Sequence, residues 1–82
     1  MTLAADRLIS EAEVAVKIGR AIRRRRQLVG LTQRQLGASC GVSFQQIQKY
    51  ETAATTLAAA RLCTIAHALS VKVSDLYPCE VR

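Results

Sequence analysis

At 82 residues the chain has room for one small hydrophobic core and no second one. Its apolar half is mostly Ala and Leu, with Phe44, Tyr50 and Tyr77 as the aromatics, which favours helices over strands; the odd set Cys40, Cys63 and Cys79 has no C-x-x-C spacing and excludes a disulfide framework or a zinc site. The net charge of +6 is unevenly placed, with eight Lys or Arg residues and no acid from Val14 to Tyr50, which points to a polyanionic partner, nucleic acid first and an acidic membrane surface second.

Residues 1–9 carry no periodic signal and read as an N-terminal arm, with 10–13 joining it as arm or helix extension. Ser10 and Glu13 have the spacing of a capping box, and Val14, Ile18, Ile22 and Val29 then recur at helical spacing as one apolar stripe, closed by Gly30. Thr32 and Gln35 form a second box before a short helix holding Leu36, which ends at Cys40-Gly41. Ser43 and Gln46 form a third, opening a helix that turns Ile47 and Tyr50 inward. With only Gly41-Val42 between these two helices, the chain must turn sharply, and Gly41 suits the left-handed conformation the turn requires. After a Thr/Ala-rich connection with Thr56 as the expected N-cap, Leu62, Ile65, Ala66 and Leu69 mark a core-facing helix. Ser74 is the expected cap of a last turn holding Leu76 and Tyr77, stopped by Pro78, with 78–82 as a tail. The expectation is an all-α domain of five helices over 14–77.

In this register the segment from Gly30 to Glu51 resembles the helix-turn-helix of the phage repressor and Cro family, the λ-repressor-like or XRE type. Leu31, Thr32-Gln33, Leu36, Gly41-Val42-Ser43, Ile47 and Glu51 match it; so do Ile18, Ile22-Arg23 and Arg26 upstream, and Leu62, Ile65-Ala66, Leu69, Val71 and Leu76 downstream. The resemblance covers about residues 14–77. It implies that the third helix enters the major groove of DNA, with base contacts from Phe44, Gln45 and Lys49 and phosphate contacts from Gln33, Ser43 and Gln46. The chemistry of these residues fits: Gln can pair bidentately with adenine, Lys can donate to guanine, and Phe can pack on a thymine methyl. The alternative for the Gln cluster is a plain polar surface that also caps the helix.

The run Arg23-Arg24-Arg25-Arg26 covers a full helical turn, so either Arg25 or Arg26 must be partly buried, and a buried charge needs a partner. Glu51 is the one carboxylate between Val14 and Ser74, and the resemblance pairs it with Arg26 as a structural ion pair. Arg23 and Arg24 are left for phosphate contact or solvation. Two positions depart from the family. Ala53 stands where the family often has Gly, so a left-handed Ala53 would be strained by roughly 1 kcal/mol and the loop is expected to take another path or to lengthen the third helix. Gly37 stands where Ala is usual and weakens its helix unless close packing requires it.

No nucleophile–base set, carboxylate pair or phosphate loop can be assembled, and His67 has only Cys63 one turn before it, two groups that do not make a zinc site, so neither catalysis, a metal nor a cofactor is expected. No apolar run approaches 18 residues and the N-terminus lacks the apolar core of a signal peptide. The resemblance therefore implies a cytoplasmic, nucleoid-associated transcription regulator, a repressor or small controller protein, bound to double-stranded DNA as a homodimer on a palindromic site. The alternatives are an antitoxin-like module on the same fold that grips a protein partner, favoured by the uncharged Thr/Ala loop, and a basic helix that binds RNA or a membrane surface.

Overall fold

The computed structural model describes residues 10–77, which form five α-helices and no strand. The arm expected over 1–9 and the tail with Pro78 and Cys79 lie outside the described residues. Helix α1 (Glu11–Leu28) opens with a complete capping box: the Ser10 hydroxyl accepts from the Glu13 amide at 3.1 Å, and the Ser10 amide donates to Glu13 Oε1 at 3.0 Å. It ends at Leu28, with Gly30 beyond it at φ +78° and the Leu31 amide donating to the Arg26 carbonyl at 3.0 Å, a Schellman closure. Because the helix stops there, Val29 leaves the apolar stripe to which its spacing assigned it and is exposed, and the inward position one turn after Ile22 falls to Arg26.

Helix α2 (Gln33–Cys40) also has both arms of its box, between Thr32 and Gln35, and ends at Gly41 with φ +76°. Helix α3 (Phe44–Glu51) has only half of one. Ser43 Oγ accepts from the Gln46 amide at 3.1 Å, but the Gln46 side chain makes no return bond and stays available.

The connection after α3 departs from the expected detour. Ala53 does adopt the left-handed conformation, at φ +60°, and the Ala54 amide closes the helix on the Lys49 carbonyl at 2.8 Å. Satisfying the end of α3 evidently outweighs the roughly 1 kcal/mol of steric strain on the alanine Cβ. Ala53→Gly should therefore stabilise the domain by up to about 0.6 kcal/mol, the relieved strain less the greater freedom of glycine in the unfolded chain; a urea midpoint that fell instead would refute the strain.

Helix α4 (Ala59–Ala68) starts from Ala58 with no side-chain cap, not from Thr56. Leu57 is half-buried against the core, so the chain stays extended past Thr56 to seat it before the helix begins. Helix α5 (Val73–Leu76), by contrast, starts two residues earlier than Ser74 would set it: Lys72 is the N-cap position, and Asp75 Oδ2 accepts from the Lys72 amide at 3.0 Å. Leu76 is buried, but Tyr77 is exposed.

One core joins these elements: Ile18 and Ile22 of α1, Leu36 of α2, Ile47 and Tyr50 of α3, Leu62, Ile65 and Ala66 of α4, then Leu69 and Leu76. The two short helices pack on each other, α1 lies against α3, α4 against α2, and α5 closes the space between α1 and α4. Two glycines allow the closest approaches. A Cβ on Gly19 would stand 2.5 Å from the Tyr50 carbonyl oxygen and 2.7 Å from that of Glu51; one on Gly37 would stand 2.6 Å from the Val42 carbonyl oxygen. Gly37 is thus explained by packing: α2 meets the chain that leads into α3 main chain to main chain.

Candidate nucleic-acid interface

The orientation of α3 is fixed at both ends. At its start, the left-handed Gly41 and the contact at Gly37 turn the chain from α2 into α3 within a few residues, and the Val42 amide donates to the Gly37 carbonyl at 2.9 Å. At its end, the structure brings Arg26 and Glu51 together. Arg26 Nε donates to Glu51 Oε2 at 2.6 Å and Nη2 to Oε1 at 3.1 Å, a side-on bidentate pair with 11% and 2% of the two side chains exposed. The remaining guanidinium nitrogen, Nη1, donates to the Leu31 carbonyl at 2.9 Å. Four segments are tied through one carboxylate and one guanidinium: the end of α1, the α1–α2 loop, the start of α2 and the end of α3.

The start of α2 enters this cluster through Gln33, whose Nε2 donates to Glu51 Oε1 at 3.0 Å. Sequence reasoning assigned Gln33 outward and missed this bond. An amide nitrogen carries two hydrogens, so one remains to meet an acceptor outside the protein. Arg25, the other inward candidate of the arginine run, is half-buried and donates through Nε to the Leu69 carbonyl at 3.3 Å. Arg23 and Arg24 are exposed.

On α3 itself, Ile47, Tyr50 and Glu51 are buried, while Gln45, Gln48 and Lys49 are exposed. Gln46 is half-buried and Ser43 exposed, its hydroxyl hydrogen still free to donate after the oxygen has accepted from Gln46. Phe44 is not the fully projecting side chain its position suggested. It is half-buried beside Ala38 and Val42 in a shallow depression, and the Arg34 guanidinium carbon lies 4.1 Å from its ring centroid. This cation–π contact runs from the second residue of α2 to the first of α3, a pairing that no sequence spacing signals.

Elsewhere, Cys40 donates to the Thr64 carbonyl, with 3.8 Å between Sγ and oxygen; burial pushes its thiol up from the usual range, against the opposing charge of Arg61. His67 is exposed. Among the described residues no three His, Cys, Asp or Glu side chains cluster as metal ligands, and no helix is long and apolar enough to cross a membrane.

Two short helices locked at a sharp turn, the second presenting amide and ammonium groups outward, define a helix-turn-helix module. The chain belongs to the helix-turn-helix family, whose description matches residues 22–76, and its fold is λ-repressor-like. It is 44% identical over 64 residues to an uncharacterized HTH-type transcriptional regulator of Sinorhizobium medicae, covering 78% of this chain and 46% of that protein. It is 45% identical over 64 residues to an uncharacterized transcriptional regulator in the ATPase CF(0) region of Rhodospirillum rubrum, covering 78% of this chain and 59% of that protein. The chain thus spans about half the length of these relatives. Among solved structures it is similar to the clp gene regulator ClgR of Corynebacterium glutamicum, with TM-score 0.74, 27% identity and coverage of 77% and 82%. The P22 c2 repressor, solved in complex with a synthetic operator, gives TM-score 0.70, 28% identity and coverage of 77% and 96%.

Proposed function

We propose that the chain is a sequence-specific DNA-binding transcription regulator that lays α3 in the major groove. The observation that carries this reading is the division of α3 into two faces. Ile47, Tyr50 and Glu51 anchor it to the protein, while Gln45 and Lys49 stand exposed with the donors and acceptors that distinguish base edges. The names of the relatives and the operator complex of the P22 c2 repressor support the same reading. In it, Gln45 and Lys49 read bases, Phe44 meets a thymine methyl at the helix start, and Gln33, Ser43 and Gln46 hold phosphates with Arg23 and Arg24. No step of this work needs catalysis, a metal or a cofactor. The regulator acts in the cytoplasm, on the nucleoid, and binds a palindromic operator as a homodimer whose half-sites lie about 34 Å apart.

Selection from random duplexes followed by binding measurements on the recovered site tests this. Lys49→Ala or Gln45→Ala should lose about 1–3 kcal/mol of affinity and relax preference at one base pair, whereas Arg23→Ala should weaken all sequences alike and lower the salt slope by about one. An unchanged affinity and preference in Lys49→Ala would remove α3 from the groove. The uncharged stretch Thr52 to Thr56 favours a second reading, an antitoxin-like module that grips a protein. A stoichiometric protein complex in DNA-free lysate, with no duplex recovered by selection, would decide for it.

A further inference from the structure

We propose that Arg34 and Phe44 act as one stacked reader of a thymine–guanine step, the ring lying against the thymine methyl and the guanidinium donating to guanine O6 and N7. The inference rests on the placement of α3 in the major groove and adds to it a residue on α2. Arg34 is exposed, and its guanidinium carbon sits 4.1 Å from the Phe44 ring centroid. Among the described residues it makes no hydrogen bond or ion pair, unlike Arg25 and Arg26, which are spent on Leu69, Leu31 and Glu51. Stacking uses only the face of the guanidinium and leaves its in-plane N–H groups free.

Those in-plane donors are what guanine requires, since its major-groove edge offers two acceptors side by side to a planar fork. The ring therefore does two things. It removes rotamer freedom that a long side chain would otherwise lose on binding, and it sets the plane in which the fork lies. Phe44 is itself held, half-buried beside Ala38 and Val42, so the pair forms a semi-rigid edge at the start of α3. Arg23 and Arg24 have no such support and suit the less directional task of neutralising phosphate.

The test uses the whole 82-residue chain on its selected duplex and on a set in which each base pair is replaced singly, at several salt concentrations. Arg34→Ala should lose about 5- to 150-fold in affinity on the selected site and its preference at one G·C pair next to a T·A pair, with little loss on duplexes already altered there. Arg34→Lys should not restore that preference, because an ammonium has no planar fork. Phe44→Ala should weaken the same guanine preference although phenylalanine has no donor, and the double variant should lose less than the two singles combined. Thermal melting of each variant separates these effects from unfolding. Wild-type discrimination retained in Arg34→Ala overturns the proposal alone; so does a uniform loss on all sequences with a salt slope lower by about one, which makes Arg34 a phosphate contact. A wild-type chain without any sequence preference overturns the groove reading, and this proposal with it.

Discussion

Replacing Glu51 by Ala is expected to remove about 3–5 kcal/mol of folding stability, because it leaves Arg26 buried with the Leu31 carbonyl as its one remaining acceptor. For a domain of this length, total stability at the usual per-residue value is about 4–12 kcal/mol, so the loss is a large share of it. Arg26→Met strands Glu51 in the same way, with only the Gln33 amide left to solvate a carboxylate that is 2% exposed. The informative comparison is the double replacement Arg26→Met with Glu51→Leu. Removing both charges removes both desolvation costs, so the double variant should be more stable than either single. Urea unfolding of the four proteins measures this directly; a single variant within about 1 kcal/mol of wild type would mean that the pair is not a keystone.

Gly19→Ala should destabilise by about 2 kcal/mol, against the usual rule for a glycine inside a helix. In an exposed helix the change gains about 1 kcal/mol of helix stability. Here the added methyl would stand 2.5 Å from the Tyr50 carbonyl oxygen and 2.7 Å from that of Glu51, closer than packed atoms tolerate. Overpacking of this kind typically costs 1–3 kcal/mol and sometimes more, and main-chain oxygens cannot swing aside as a side-chain tip can. Moving α3 away would also stretch the Glu51 bonds to Arg26, so the upper end of the range applies. A lowered unfolding midpoint is the expected readout, and a raised one would show that α1 and α3 have room to separate.

The contrast between these two sites shows what was legible in the sequence. An inward-facing arginine needs a counter-charge, and with Glu51 the lone carboxylate between Val14 and Ser74 the choice of partner was narrow. The boxes at Ser10–Glu13 and Thr32–Gln35 were readable because both partners lie within four residues, and the α4 pattern Leu62, Ile65, Ala66, Leu69 because periodicity is local. Gly19 carried no such mark. Its role depends on the main chain of a helix some thirty residues away, and locally it reads only as a weak point in α1. The Arg34–Phe44 stack and the Gln33–Glu51 bond were hidden for the same reason. Where the sequence misled, a competing local signal lost to tertiary demand. Thr56 yielded the N-cap to Ala58 so that Leu57 could reach the core, Ser74 yielded to an aspartate that caps from inside its own helix, and Val29 fell beyond the point where α1 ends. At Ala53 the helix-closing bonds prevailed over side-chain sterics.

The main-chain contacts at Gly19 and Gly37 leave α3 little freedom to swivel on the body that carries it. On the proposed reading, a protein seated so stiffly cannot follow small irregularities of its target, so the duplex must bend or twist to suit. Sequences that deform easily would then be preferred even at base pairs no side chain reaches.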